Sequence, residues 1–160
     1  MKTNTFKYII AFCLGISLPI HTAQANDPNL ARDCLVTCSS GANPEFAVDG
    51  NRDGWFWEAS LQPSPCWLEI DLGQIKEIEG INVFMWWGGD KRYYQYFIEV
   101  SVDRKKWSEV VDARANISPA SAEGSLYKIP LTKARFIRLI IIYNNVNPAA
   151  HVREIEIYGN

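Results

Sequence analysis

The chain has 160 residues, a formal net charge of −2 and 48% hydrophobic residues, 12% of all residues being aromatic. That length fits one domain of the usual ~100–200 residues, large enough to bury one core. The slightly acidic balance excludes the basic footprint of a nucleic-acid binder.

The first segment reads as a secretory leader. Lys2 and Lys7 form a basic start, an apolar run follows from Tyr8 to Ile20, and Ala23-Gln24-Ala25 supplies an Ala-x-Ala end. The rival, a membrane anchor, is opposed by Gly15 and Pro19 within the run, which is short for a span of ~20 apolar residues. Cys13 follows Phe12 inside the run, the wrong context for a lipid-carrying cysteine. Cleavage is expected after Ala25, giving a signal peptide 1–25, a single domain 26–160 and a secreted or periplasmic protein. Removing the two lysines leaves 14 basic and 18 acidic side chains, a net charge of −4.

Beyond the leader, apolar residues alternate with period two. Leu68, Ile70 and Leu72 share one phase, with Trp67, Glu69 and Asp71 in the other. Ile81, Val83 and Met85 continue the pattern, then Tyr96, Ile98, Val100 and Val102. "RFIRLIIIY" and "VREIEIYG" close the chain in β-branched and aromatic residues. Such alternation predicts strands. "DGN", "DLGQ", "GGD", "VDRKK", "AEGS" and "NNVNP" punctuate them, and no segment carries a helical apolar stripe. About eight short strands predict an all-β sandwich or barrel with long loops gathered at its ends. The cluster Asp103–Lys106 reads as a solvated hairpin tip.

Three cysteines remain after the leader: Cys34, Cys38 and Cys66. A secreted chain favours a disulfide, and Cys66 is expected to pair with Cys34 or Cys38, leaving one thiol. The Cys-x-x-x-Cys spacing does not suit a zinc knuckle.

Catalysis finds little support. His151 is the only histidine after the leader, since His21 leaves with it. No Gly-x-Ser-x-Gly elbow is present, and one histidine cannot build a histidine zinc cluster. Glu58, Asp90 and Asp53 could form carboxylate pairs for glycoside cleavage, but an acidic chain always offers such pairs. The expectation is that the chain is not an enzyme.

Five stretches together resemble the discoidin family, also called the coagulation factor V/VIII type C domain, which includes the family-32 carbohydrate-binding modules. They are "VTCSSGANPEFAVDGNRDGWFWEAS", "CWLEIDLGQIKEIEGINVFMWWG", "FIEVSVDRKKW", "ARFIRLIIIY" and "REIEIYG", in the family's order. The resemblance spans about Val36 to Gly159. It implies an antiparallel jelly-roll β-sandwich of the galactose-binding-like, discoidin type. It also implies a structural calcium ion at the turn after the first strand. The matching side chains are Asp49, Asn51 and Glu154, and the matching carbonyls those of Phe46, Gly54 and Arg153. Calcium takes six to eight oxygens, and carbonyls beside one or two carboxylates suit it. An ordinary Asx turn at DGN is the plainer reading. Gly54 stands where the family often has Thr.

The resemblance further implies a glycan or polysaccharide partner, with the chain acting as a free lectin or as an accessory subunit of a glycan-degrading system. A sugar reader needs an aromatic platform and a few planar polar groups. The loops supply Trp55, Phe56, Glu58, Trp86, Asp90, Arg92, Tyr93, Asn145 and His151 as ligand-binding candidates. Of Phe56 and Trp57, one is expected to plug the core while the other, or Trp55, faces solvent. Trp87 extends the phase of Ile81, Val83 and Met85 and is expected in the core, leaving Trp86 as platform. Glu58, Trp86, Trp87 and Asp90 depart from the family's galactose-binding pattern, so galactose specificity is not expected. The alternative is adhesion to phospholipid or a protein through Trp55 and Phe56. A net charge of −4 opposes an anionic membrane.

Overall fold

A computed structural model describes residues 29–63 and 65–160. The expected leader, with Cys13 and His21, lies outside the described residues. Seven strands follow in order: β1 (Leu35–Cys38), β2 (Trp57–Ser60), β3 (Cys66–Met85), β4 (Tyr94–Ser101), β5 (Ser108–Ala113), β6 (Ser125–Asn144) and β7 (Ala149–Gly159). One 3-10 helix, Pro44–Val48, sits between β1 and β2. All the pairings are antiparallel, in the order β2-β7-β3-β6-β4-β5, with β1 on the free edge of the first half of β3.

Fewer, longer strands replace the eight short ones expected, because β3 and β6 each run 20 residues and serve both layers of the sandwich. The first half of β3 pairs with β1 and the end of β6, while its second half pairs with β7 and the start of β6. The register breaks between Asp71 and Lys76, where Gly73 takes φ +77° and donates its N–H to Asp71 Oδ1. "DLGQ" therefore bends a continuous ladder rather than ending a strand. A left-handed residue is inexpensive only at glycine.

Residues directly opposite in an antiparallel pair share a face. Leu68, Ile70, Ile98, Val100, Ile137 and Leu139 are buried on the inner face of one layer. Ile81, Val83, Ile155 and Ile157 supply the other. The opposite phase carries Trp67, Glu69 and Asp71 outwards into an ion ladder. Arg138 bridges Glu69 and Glu99, Arg104 bonds Glu69, and Arg135 bonds Asp71. The β4–β5 hairpin tip is closed by Asp103 Oδ1, which accepts from Lys105 N and Lys106 N.

One expectation about packing is met and one is corrected. The core tryptophan is Trp57, at 0% exposure with Nε1 donating to Ser40 O at 3.1 Å. Trp87 is only half-buried. The β3–β7 register shifts between Phe84 and Met85, and β3 ends at Met85. The alternation that places Val83 and Met85 inside thus stops before Trp87.

The three thiols are free in the structure, so the expected Cys66 bridge is not formed. Leu35 faces Asp71, which puts Cys34 roughly 17–20 Å along β3 from Cys66 at ~3.3 Å per residue. A disulfide needs Cα atoms within ~7 Å. Cys38 faces Leu68 and is a diagonal neighbour of Cys66 on the same face. Burial pushes the Cys66 thiol up to about 12, and it also raises Cys34, whose Sγ donates to Leu30 O at 3.3 Å.

Candidate functional site

Three loops meet at one end of the sandwich: residues 49–56 before β2, 86–93 between β3 and β4, and 145–148 between β6 and β7. His151, near the start of β7, joins them. Its register partner is Glu58 on β2. Its carbonyl accepts from Trp86 N at 3.0 Å, which ties the end of β3 to β7. Its ring meets Phe56 edge-on at 5.5 Å and Trp86 at 6.4 Å between centroids.

His151 is 6% exposed. Tyr94 Oη donates to its Nδ1 at 3.0 Å and Arg92 Nη1 approaches the same atom at 3.3 Å. A guanidinium cannot accept, so Nδ1 is the acceptor and the ring proton is on Nε2. Burial, then the nearby Arg92, lowers the imidazole below its ordinary value.

Arg92 is 9% exposed and held on three sides. Its Nε lies 3.1 and 3.0 Å from the Asp90 oxygens and its Nη2 2.5 Å from Oδ2. Its guanidinium sits 4.2 Å from the Trp86 ring centroid. The bonds from Arg92 hold the Asp90 carboxyl below the usual carboxylate range. A general acid for glycoside cleavage needs the opposite displacement. Trp86 gives a face to Arg92, and its six-membered ring crowds Gly88, where a Cβ would stand 1.5 Å from the ring. Only glycine fits at position 88 with this ring placement. Trp86 is therefore a braced member of the cluster more than an open platform.

Of the ligand candidates, Phe56, Glu58, Trp86, Asp90, Arg92 and His151 come together. Tyr93 and Asn145 form an adjoining pair, Tyr93 N donating to Asn145 Oδ1 at 2.7 Å, with the Tyr93 ring 6.1 Å from Tyr143. Trp55 stands at the loop tip, 74% exposed, and supplies the open ring. Behind the 86–93 loop lies a depression of about 140 Å³ floored by Pro119 and Ala120. Asn144 is buried and braces the β6–β7 turn through Asn147 Oδ1 and Ala149 O.

Sequence reasoning missed Tyr94. It is one step earlier in the inward phase of Tyr96 and Ile98, which is the signal that could have found it. Burial raises its hydroxyl to about 12, so it stays protonated to orient His151. The Trp87–Arg153 stack, 4.4 Å from guanidinium to centroid, was also missed, because Arg153 was read for its carbonyl alone.

At the expected calcium turn, Asp49 Oδ1 accepts from Asn51 N at 2.8 Å and Asn51 Oδ1 accepts from Asp53 N at 3.3 Å. These are Asx turns. The telling residue is Glu154, at 0% exposure. Its oxygens accept only neutral N–H groups, from Gly50 at 3.1 Å and Asn29 Nδ2 at 3.3 Å. Burial, with Asp49 and Glu156 nearby, pushes its carboxyl up to about 8. A buried carboxylate without a cation is costly, and an ion between Asp49 and Glu154 would offset that cost. Among the described residues no group of three or more His, Cys, Asp or Glu could hold a metal. Two carboxylates with backbone carbonyls are the kind of donor set that calcium accepts.

Solved structures similar to this chain include carbohydrate-binding modules of the same fold. The CBM32 of AlyQ, in complex with 4,5-unsaturated mannuronic acid, has a TM-score of 0.65 at 26% identity, over 79% of this chain and 96% of that one. Chitosan-binding module 2 of a chitosanase/glucanase from Paenibacillus sp. IK-5, in complex with chitotriose, has a TM-score of 0.68 at 25% identity, over 82% and 100%. The human BTB/POZ domain-containing protein 9 is 36% identical over 89 residues, 56% of this chain. This chain spans about 14% of that relative's length. The F5/8 type C domain model matches residues 34–155. With the sandwich and its ring of loops, that match places the chain in the F5/8 type C, or discoidin, domain family.

Proposed function

We propose that the chain is a secreted, non-catalytic glycan-binding module. The observation that carries this is the loop-end cluster. A largely exposed Trp55 ring adjoins an assembly of Phe56, Trp86, Asp90, Arg92 and His151 whose internal bonds are already made. Sugars offer C–H faces to rings and hydroxyls to planar polar groups. A site held in place before binding loses little entropy on binding. The exposed Glu58 carboxylate, Asn145 and the outer oxygens of Asp90 are the polar groups facing such a ligand. Two solved structures of the same fold carry a uronic acid and chitotriose, which supports a saccharide ligand here.

A structural calcium ion belongs to this reading. Asp49, Asn51 and Glu154 side chains, with the carbonyls of Phe46, Gly54 and Arg153, would hold it. Its role would be to fix the 49–56 loop that carries Trp55. The module would act as a free lectin or as an accessory to a glycan-degrading system.

Screening the mature protein on a glycan array, with pelleting against anionic liposomes in parallel, tests the reading. Retention of a defined set of glycans with no liposome pelleting is expected. Pelleting without glycan retention would instead establish the phospholipid alternative. Phe56 packs on His151, so it is not free to act as a second membrane spike.

A further inference from the structure

The described residues contain eight arginines, and seven of them face a carboxylate. Arg52 meets Glu156, Arg92 meets Asp90, Arg104 and Arg138 meet Glu69, Arg114 meets Glu109, Arg135 meets Asp71, and Arg32 lies 3.9 Å from Asp33. Arg153 is the exception. Its one hydrogen bond runs from Nη1 to the Gly54 carbonyl at 3.4 Å. Its Nε is buried with no acceptor. An unpaired surface cation on a free stem would be ordinary, but this one is not free. The Trp87 ring lies 4.4 Å beneath the guanidinium and the Gly54 carbonyl holds its edge.

Its place in the fold gives the pairing deficit meaning. Gly54 precedes the open Trp55 ring, and Trp87 follows the braced Trp86. Arg153 is also within electrostatic reach of Tyr94, the hydroxyl that orients His151. The other guanidinium at this end, Arg92, is already neutralised by Asp90. Arg153 is thus a flat, immobilised guanidinium without a counter-ion, at the rim of the cluster beside an exposed ring.

We infer that Arg153 reads an acidic sugar, its guanidinium meeting the carboxylate of a uronic or sialic acid residue whose ring lies against Trp55. This deepens the glycan-binding reading and rests on it. A planar carboxylate matches the arginine fork better than a hydroxyl does. Nη2, which has no partner among the described residues, and the outer side of Nη1 are the atoms available to it. Trp87 is a positioning residue that keeps the fork flat.

The test is titration calorimetry of the mature protein with trigalacturonic acid, its carboxyl-reduced counterpart, 3′-sialyllactose and lactose. The wild type should bind one acidic member about tenfold or more tightly than its neutral counterpart, the worth of a charge-assisted bond. The two acidic probes distinguish a uronate from a sialate. Arg153→Gln should erase the acidic preference, and Arg153→Lys, a point charge without a fork, should restore part of it. Thermal melting of Arg153→Lys guards against a folding defect in Arg153→Gln. If the wild type prefers the neutral member, or Arg153→Gln keeps the acidic preference, the inference falls while glycan binding stands. If neither these probes nor any array glycan binds, the glycan-binding reading itself fails.

Discussion

Replacing Trp57 and Trp87 separately by alanine measures which aromatic of the loops holds the domain together. Trp57 is fully buried between the 39–42 loop and β7, and even a Cβ on Gly41 would stand 2.8 Å from its Nε1. Its neighbours are therefore packed closely and cannot collapse freely into the space it leaves. A buried Trp→Ala change of this kind costs ~3–5 kcal/mol. The Nε1–Ser40 bond adds little, since Ser40 is exposed and water can replace the donor. Trp87 is half-buried and loses mainly its stack with Arg153, about 0.5–1 kcal/mol. In a domain of this size 1 kcal/mol corresponds to roughly 3–5 °C. Trp57→Ala should thus lower the melting temperature by about 10–20 °C and Trp87→Ala by about 5 °C or less. Differential scanning calorimetry with matched urea titrations is the assay. Equal losses in the two variants, or a larger one in Trp87→Ala, would refute the assignment of Trp57 as the plug.

Glu154 predicts a pH signature. Its folded value near 8 exceeds the ordinary 4.5, so with a chelator present its contribution to stability should be full below pH 4.5 and be lost as pH rises through 8. Calcium should flatten that decline, Glu154→Gln should abolish it, and melting curves from pH 4 to 9 would show both. His151 has the opposite sign: its lowered value means stability is full above pH 6.5 and falls as the unfolded chain takes up a proton below it. His151→Asn, whose side-chain oxygen can still accept from Tyr94, should reduce the loss of stability between pH 7 and 5 in the same curves. Non-reducing peptide mapping of the folded protein should find Cys34, Cys38 and Cys66 as free thiols. Peptide mapping that instead found Cys34 bonded to Cys66 would contradict the β1–β3 register.

The strand phases were legible because burial of one face imposes period two: Trp67, Glu69 and Asp71 do point outwards, opposite Leu68 and Ile70. The joining of those strands into two long ones was not legible. A Gly-rich punctuation looks alike whether it ends a strand or bends one, and only the partner ladder of β6 decides. Extrapolating phase to Trp87 failed for a related reason, since a register shift beyond Phe84 leaves no local mark. The cluster around His151 was foreseen as a group of residue types. Its internal bonding was not, because the pairing of Arg92 with Asp90 on one side and Trp86 on the other depends on loop geometry. Arg153 shows the limit most plainly: that it lacks a carboxylate is visible only when every neighbour is in place.

The central claim, that this loop end binds glycan, is tested most directly by titrating the strongest array glycan into the wild type and into Trp55→Ala. The ring is 74% exposed, so its removal should leave the melting temperature unchanged. Affinity should fall by on the order of 1–3 kcal/mol, by analogy with bases stacked on aromatic rings. Unchanged affinity in a folded Trp55→Ala variant, or a wild type that retains no glycan at all, would contradict the account.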